Sequence, residues 1–341
     1  MLFRSVAQIA MGVGTSHGPL LNTPPAEWDQ RARADRSSKQ LIYRGDSYDF
    51  AGLRAARGRD FSAECALEVR QARHAACRAA IEELGRRVKA AALDVLVIVS
   101  SDHKEIFDDE LMPQFAFYWG ESVRHEPYTQ EQLDAMPPGL AIAEVANQPA
   151  QPTVRVAHPA LARHLLKETS KAGFDPGASL RLPAGRYANS SIPHGWGFIY
   201  QQILGGDYEI PVVPVFVNTF WDPNPPSAAR CYDFGVALGQ AISSFPPDLR
   251  VGVVASGGLS HFVVDEELDR QFLGALLGGD RPVLAGLSDE VLRSGTSELR
   301  SWIVAGTAAR QAGLVGELVD YQPCYRSEAG TGCAMAFATW A

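Results

Sequence analysis

Long apolar runs, surplus positive charge and paired cysteines are all missing from this chain, and each absence removes a class of function. No hydrophobic run reaches the roughly 20 residues a membrane-spanning helix needs. Lys and Arg number 31 against 39 Asp and Glu, a formal charge of −8. That balance argues against grip on a phosphate backbone, which requires clustered cations. It leaves a small anionic substrate open, because one or two pocket arginines can outweigh a distant surface field. The five cysteines (Cys65, Cys77, Cys231, Cys324 and Cys333) form an odd set without a CxxC pair. Reduced thiols in a cytoplasmic protein are the expectation. No HExxH, HxxxH or HxH pair occurs, nor any internal repeat or low-complexity tract. The apolar N-terminus, MLFRSVAQIAMGVGTSHG, is broken by Gln8, Gly12 and Gly14 and lacks a cleavage pattern, so it reads as a first buried strand rather than a signal peptide. Met11-Gly12-Val13-Gly14 is half of a dinucleotide fingerprint, but the third glycine is missing.

What is present is a globular composition. Of 341 residues 46% are hydrophobic, enough to bury a core in one large domain or two intimately packed ones. The expectation is one catalytic domain over 1–341, with insertions at about 22–60 and 119–155. Val6 to Val13 reads as a strand. Residues 22–60 are polar and read as a surface insertion with a short helix. From Phe61 to Ala91, Cys65, Val69, Ala72, Ala76, Ala79, Ala80, Leu84 and Val88 recur at helical spacing. Asp94–Ser100, Pro211–Asn218 and Arg250–Ser256 are continuous β-branched runs, the mark of strands buried on both faces. Helical stretches over Pro159–Ala172, Ala228–Ser244, Glu266–Leu277 and Ser297–Ala312 alternate with them. The fold class is therefore α/β, a central mixed sheet flanked by helices, with its site at the strand ends.

Three of these strands end in a polar turn with a histidine: Gly14-Thr15-Ser16-His17, Ser100-Ser101-Asp102-His103 and Gly257-Gly258-Leu259-Ser260-His261. A fourth histidine lies in Ile192-Pro193-His194-Gly195-Trp196-Gly197. Ligands collect at the carboxyl ends of strands in open α/β sheets. Two neutral imidazoles and a carboxylate can hold a divalent metal on one face and leave the opposite face open, the donor set of non-haem iron(II) oxygenases. Spacing alone leaves the plainer reading in place, in which such turns hydrogen-bond their own loops.

The blocks TSHGPLL, VIVSSDHKEIFDDELMPQFAF, IPHGWGF, PVVPVFVN and ASGGLSHFVVDEELDRQFL, in this order, resemble the class III extradiol ring-cleavage dioxygenases, the family of protocatechuate 4,5-dioxygenase β chains and gallate dioxygenases. The 22–60 insertion, DEELDRQF and the tail CYRSEAGTGCAMAFATW are most similar to 3-O-methylgallate dioxygenases. The resemblance implies a non-haem Fe(II) enzyme that opens the ring of a catechol-type aromatic acid with O2, the acid being like 3-O-methylgallate, gallate or protocatechuate. It implies His17, His103 and Glu267 as metal ligands and His194 as the catalytic histidine that does not bind metal. Taken by itself, the acidic run Asp265-Glu266-Glu267 is equally a helix-dipole turn.

Further contacts are expected from His261, Asp102 and Asn218 at strand ends, either orienting a ligand or touching substrate. Arg326, Ser327 and Thr331 in the glycine-rich tail are expected at the substrate carboxylate, Arg326 being suited to a bidentate contact. A homodimer is expected, with the two insertions serving as the lid that a small helical α subunit provides in some relatives. Neither nucleic acid nor membrane is an expected partner. The rival readings are a zinc hydrolase, since zinc accepts the same donors, and a metal-binding protein of the same fold that acts through partner contacts.

Overall fold

The computed structural model describes residues 6–137 and 139–341; residues 1–5 of the apolar N-terminal stretch lie outside it, while the expected strand from Val6 lies within. In chain order the strands are β1 (Gln8–Thr15), β2 (Leu41–Tyr43), β3 (Asp46–Tyr48), β4 (Val95–Ser101), β5 (Phe115–Tyr118), β6 (Ser122–His125), β7 (Thr153–Val156), β8 (Gly177–Ser179), β9 (Val212–Val217), β10 (Arg250–Ser256), β11 (His261–Val263), β12 (Gly316–Tyr325) and β13 (Thr331–Trp340). The helices are α1 (Trp28–Ser37), α2 (Phe50–Arg57), α3 (Leu67–Ala90), α4 (Gln130–Asp134), α5 (Ala141–Val145), α6 (Pro159–Lys171), α7 (His194–Phe198), α8 (Ala228–Ser243), α9 (Glu266–Gly278), α10 (Arg281–Ala285) and α11 (Leu299–Gln311).

Nine strands form one mixed sheet in the order β11-β13-β1-β10-β4-β9-β5-β8, with β12 paired to β13. Its centre, β1-β10-β4-β9, is parallel. The reason is visible in β4: every residue is buried, so helices must cover both faces. Val95, Val97 and Val99 point to one side, into a core with Phe234 and Leu238 of α8 and Trp302 and Ile303 of α11. Leu96 and Ile98 point to the other, against Cys77, Ile81, Leu84 and Val88 of α3 and Trp196 of α7. The period of two along the strand meets a spacing of three to four along α3, as amphipathic packing requires.

The expected strands and helices are found within one or two residues at most ends; the chief exception is the Phe61–Ala91 stretch, where α3 begins only at Leu67 after a short 3-10 turn over Ser62–Cys65. The 22–60 segment departs most from expectation. It carries two helices and the β2–β3 hairpin, not one short helix on the surface. Trp28 and Leu53 are fully buried, and Leu41 and Leu53 join Val263 and Ala329 in a small third core. Its apolar residues are few and spread over short elements, so no window of helical length shows a period.

The register brings the carboxyl ends of three strands level. Thr15 of β1 lies beside Ser256 of β10, and Ser256 beside Ser100 of β4. His17 and His103 therefore leave the sheet on one edge, a few residues apart across it.

Candidate metal and catalytic centre

His17 is held by a chain of hydroxyls. Its Nδ1 lies 2.9 Å from Ser256 Oγ, and that hydroxyl donates to the Gly195 carbonyl at 2.7 Å. A hydroxyl has one proton, so Ser256 must accept from His17, and this network assigns the Nδ1–H tautomer. Burial lowers the His17 pKa, against the raising influence of Glu298. The neutral ring then presents its Nε2 lone pair to Glu298 Oε1, 3.3 Å away.

His103 Nε2 lies 2.7 Å from the same Oε1, and Ser101 Oγ donates to that oxygen at 3.1 Å. The other oxygen, Oε2, accepts the Gly258 backbone N–H. His261 donates from Nδ1 to the Leu259 carbonyl at 2.8 Å, and its Nε2 sits 3.8 Å from Oε2. Three imidazoles thus surround one carboxylate that is 2% exposed. Burial alone pushes the Glu298 carboxyl up, but His17, His103 and His261 outweigh it and hold the group well below the usual carboxylate range.

This donor set fits a divalent cation. In neutral His17 a lone pair faces a carboxylate oxygen with no proton between them, a repulsive pairing in a dry site unless a proton or a cation lies there. Two imidazoles and one carboxylate are the donors of the facial iron triad. Ser256 fixes the tautomer and aim of a ligand histidine as outer hydrogen bonds do at metal centres. Among the described residues no three His, Cys, Asp or Glu side chains stand ready as a metal cage. Here the donors lie within hydrogen-bond reach of one another around the Glu298 carboxylate, and His17, His103 and Glu298 are the side chains that would hold a cation.

His194 opens α7 directly after Pro193, and Gly195 lets the helix approach the strand ends, since a Cβ there would collide with Ser100 Oγ and stand 3.2 Å from His17 Cε1. The His194 ring lies 4.9 Å from that of His17 and 5.7 Å from that of His103, centroid to centroid. Glu105 holds it twice, through Nδ1 at 2.5 Å and the backbone N–H at 3.0 Å. Nε2 is therefore the atom left to exchange a proton. Burial opposes charge on the ring, yet Glu105 and, further off, Glu144 push the His194 pKa up to about 10. Glu105, despite burial, is held down to about 2 by His194.

These histidines line a cavity of about 270 Å³, closed by Tyr128, Phe220, Trp221 and Phe262. It is small beside drug-sized clefts of roughly 300–1,000 Å³, and so is matched to a one-ring ligand. A broader basin of about 920 Å³ shares Arg31, Phe220 and Phe262 with it but includes none of the histidines.

His17, His103, His194 and His261 are brought together as the strand-end reading expects, but Glu267 is not with them. It lies on the outer face of α9, 66% exposed, with Arg44 Nη2 at 2.6 Å. The acidic run behaves as a helix start: Asp265 caps the Leu268 N–H, and the buried acid that follows, Asp269, accepts from Ser260 and Tyr321. The carboxylate among the histidines is Glu298, absent from the sequence-based set. A signal existed. Glu298 and Arg300 stand at the start of α11, ahead of the run Trp302-Ile303-Val304-Ala305, and charges beside a buried run need partners.

Arg326, Ser327 and Thr331 also stand elsewhere. Arg326 is fully buried and bidentate on Asp35 of α1, at 2.6 and 2.9 Å, and Thr331 Oγ1 reaches the same carboxylate at 2.6 Å. Ser327 Oγ bonds Thr331 Oγ1 at 2.6 Å. All three close the tail on α1 instead of facing the cavity. Asp102 caps the N–H groups of Glu105, Ile106 and Phe107 and so shapes the turn that delivers Glu105. Asn218 braces the loop of Phe220 and Trp221 through the Trp221 backbone N–H and carbonyl.

Residues 66–332 match the family model described as the catalytic LigB subunit of aromatic ring-opening dioxygenase. His103, His194, His261 and Glu298 lie inside that stretch and His17 before it. Gallate dioxygenase of Pseudomonas putida is 36% identical over 129 residues, covering 35% of each chain. The 2,3-dihydroxyphenylpropionate/2,3-dihydroxicinnamic acid 1,2-dioxygenase of Comamonas testosteroni is 28% identical over 188 residues, 55% of this chain and 47% of that one. The Escherichia coli protein of the same name is 27% identical over 202 residues, 58% and 54%. The chain thus spans about a third to about half the length of these relatives.

Proposed function

Because the chain belongs to the family of the catalytic LigB subunit of aromatic ring-opening dioxygenase, we propose that it is a non-haem Fe(II) extradiol dioxygenase acting on a catechol-type aromatic acid. One observation carries this reading: His17, His103 and Glu298 converge, with His194 beside them, on a cavity sized for one ring. In the reaction the ring C–C bond next to the diol and the O–O bond break, and both oxygen atoms enter the ring-opened acid.

His17, His103 and Glu298 are the residues that would hold iron. When bound there, Fe(II) supplies Lewis acidity toward adjacent phenolic oxygens, an electron path to O2, and a positive charge that weakens the proton on His194. His194 Nε2 takes a proton from the substrate hydroxyl and returns it later, while Glu105 keeps the ring oriented and stabilises its charged form. Arg31 and Arg186, both on the cavity wall, supply positive charge for the ring carboxylate. Phe220, Trp221 and Phe262 exclude water from the reacting face. The substrate class spans gallate, 3-O-methylgallate and protocatechuate.

The chain works as one catalytic unit in the cytoplasm, as a homodimer whose 22–60 and 119–155 segments supply the lid over the ring. No helix among the described residues is long and apolar enough to cross a membrane. The test is anaerobic loading with Fe(II), then O2 uptake on these three acids. One O2 consumed per ring opened is expected. No uptake with any diol, or hydrolytic activity that follows zinc, overturns the reading.

A further inference from the structure

Three carboxyls line the cavity, and two are committed: Glu298 to the histidines of the metal centre and Glu105 to His194. The third, Glu144 on α5, acts on His194 only from a distance and bonds none of the histidines. It is 8% exposed, and its Oε2 is buried without a hydrogen-bond partner. Buried polar atoms are nearly always satisfied, and an orphan costs free energy that something in the working complex must recover. The carboxyl bonds Asn147, yet Oε2 itself stays unpaired although Tyr128, Tyr187 and Arg186 share the wall, and Met136 and Leu140 of the same segment offer it only apolar side chains.

We propose that Glu144 Oε2 receives a hydrogen bond from a ring hydroxyl outside the metal-chelating pair, so that the site selects trihydroxylated aromatic acids over dihydroxylated acids and O-methyl ethers. The inference rests on the extradiol reading above and narrows it. A diol bound through two oxygens at His17, His103 and Glu298 has its ring fixed in plane. A third hydroxyl then points at the cavity wall, where an apolar lining would penalise it and an unpaired carboxyl oxygen rewards it. A site built to bond a hydroxyl discriminates strongly against an analogue lacking it, because its own polar atom is left unpaired. Methylation removes the donor and adds bulk, so 3-O-methylgallate loses on both counts.

The experiment compares gallate, protocatechuate and 3-O-methylgallate on Fe(II)-loaded enzyme, by anaerobic Kd and by kcat/KM. Wild type is expected to favour gallate over each of the others by about tenfold or more. Glu144→Met, close in volume, should lower that preference at least tenfold, and Glu144→Gln, which keeps an acceptor oxygen, should retain most of it. A preference unchanged in Glu144→Met, or a wild type indifferent to the third hydroxyl, overturns the inference and leaves the extradiol reading standing. A wild type that binds and cleaves none of the three acids overturns both.

Discussion

Glu105 holds His194 at two points, accepting the imidazole Nδ1–H on Oε1 at 2.5 Å and the backbone N–H on Oε2 at 3.0 Å. This makes the histidine a residue with one free nitrogen and a fixed aim. His194→Phe is expected to lower kcat about 10²–10⁴-fold, the usual worth of a positioned acid–base group, with iron content unchanged. Glu105→Gln keeps the shape and loses the charge, so it should cost roughly 10–100-fold, again with iron retained. Metal analysis beside turnover on each variant checks both. Loss of iron from His194→Phe would move His194 into the ligand set.

Arg326 and Asp35 form a buried pair joining the tail to α1. Removing one partner strands a charge in the interior, so Arg326→Ala should destabilise the fold by about 3–5 kcal/mol. Urea unfolding measures this. The Kd for substrate, taken under folding conditions, should move little, since the guanidinium faces Asp35 and not the ring. A large rise in Kd with unaltered stability would restore Arg326 as a substrate contact.

His125 gives a pH signature. It is fully buried, with Nε2 donating to the Asn147 carbonyl and Nδ1 without a partner. Burial lowers its pKa to about 4, from an ordinary value near 6.5. The unfolded chain then binds a proton that the folded chain refuses as pH falls from about 6.5 to about 4. Stability is fully present above that window and is lost through it, by about 3 kcal/mol at most. Asp102, raised to about 6 by burial and Glu105, acts in the opposite sense over much of the same range. The contribution is therefore read as a difference. The unfolding free energy of His125→Gln should fall less than that of wild type between pH 7 and pH 4.5. Parallel curves would contradict the assignment.

Much of the centre is legible in the sequence because it sits where chain and sheet meet. A β-branched run followed at once by Ser, Asp or Gly and a histidine marks both the strand and its mouth, and His17, His103 and His261 follow from that pattern. The partners that decide their chemistry come from elsewhere. Glu298 ends a short 3-10 turn far along the chain, and Glu105 reaches back to His194 only because Asp102 folds the intervening turn. Neither has a local signal stronger than an acid near a helix start. Glu267 illustrates the converse: an acidic helix start beside an SH block looks like a ligand, yet its side chain leaves on the solvent face of α9 and pairs with Arg44. The 22–60 segment carries little periodic signal for a related reason, since Trp28 and Leu53 bury themselves from elements too short to show a period.

Iron stoichiometry in Glu298→Gln and Glu267→Gln, after anaerobic Fe(II) loading, tests the metal centre most directly. Glu298→Gln should lose iron and O2 uptake together. Glu267→Gln should keep about one iron per chain and near wild-type uptake, with a stability change of about 0–1 kcal/mol for its exposed pair. Iron lost from Glu267→Gln and kept by Glu298→Gln would contradict it.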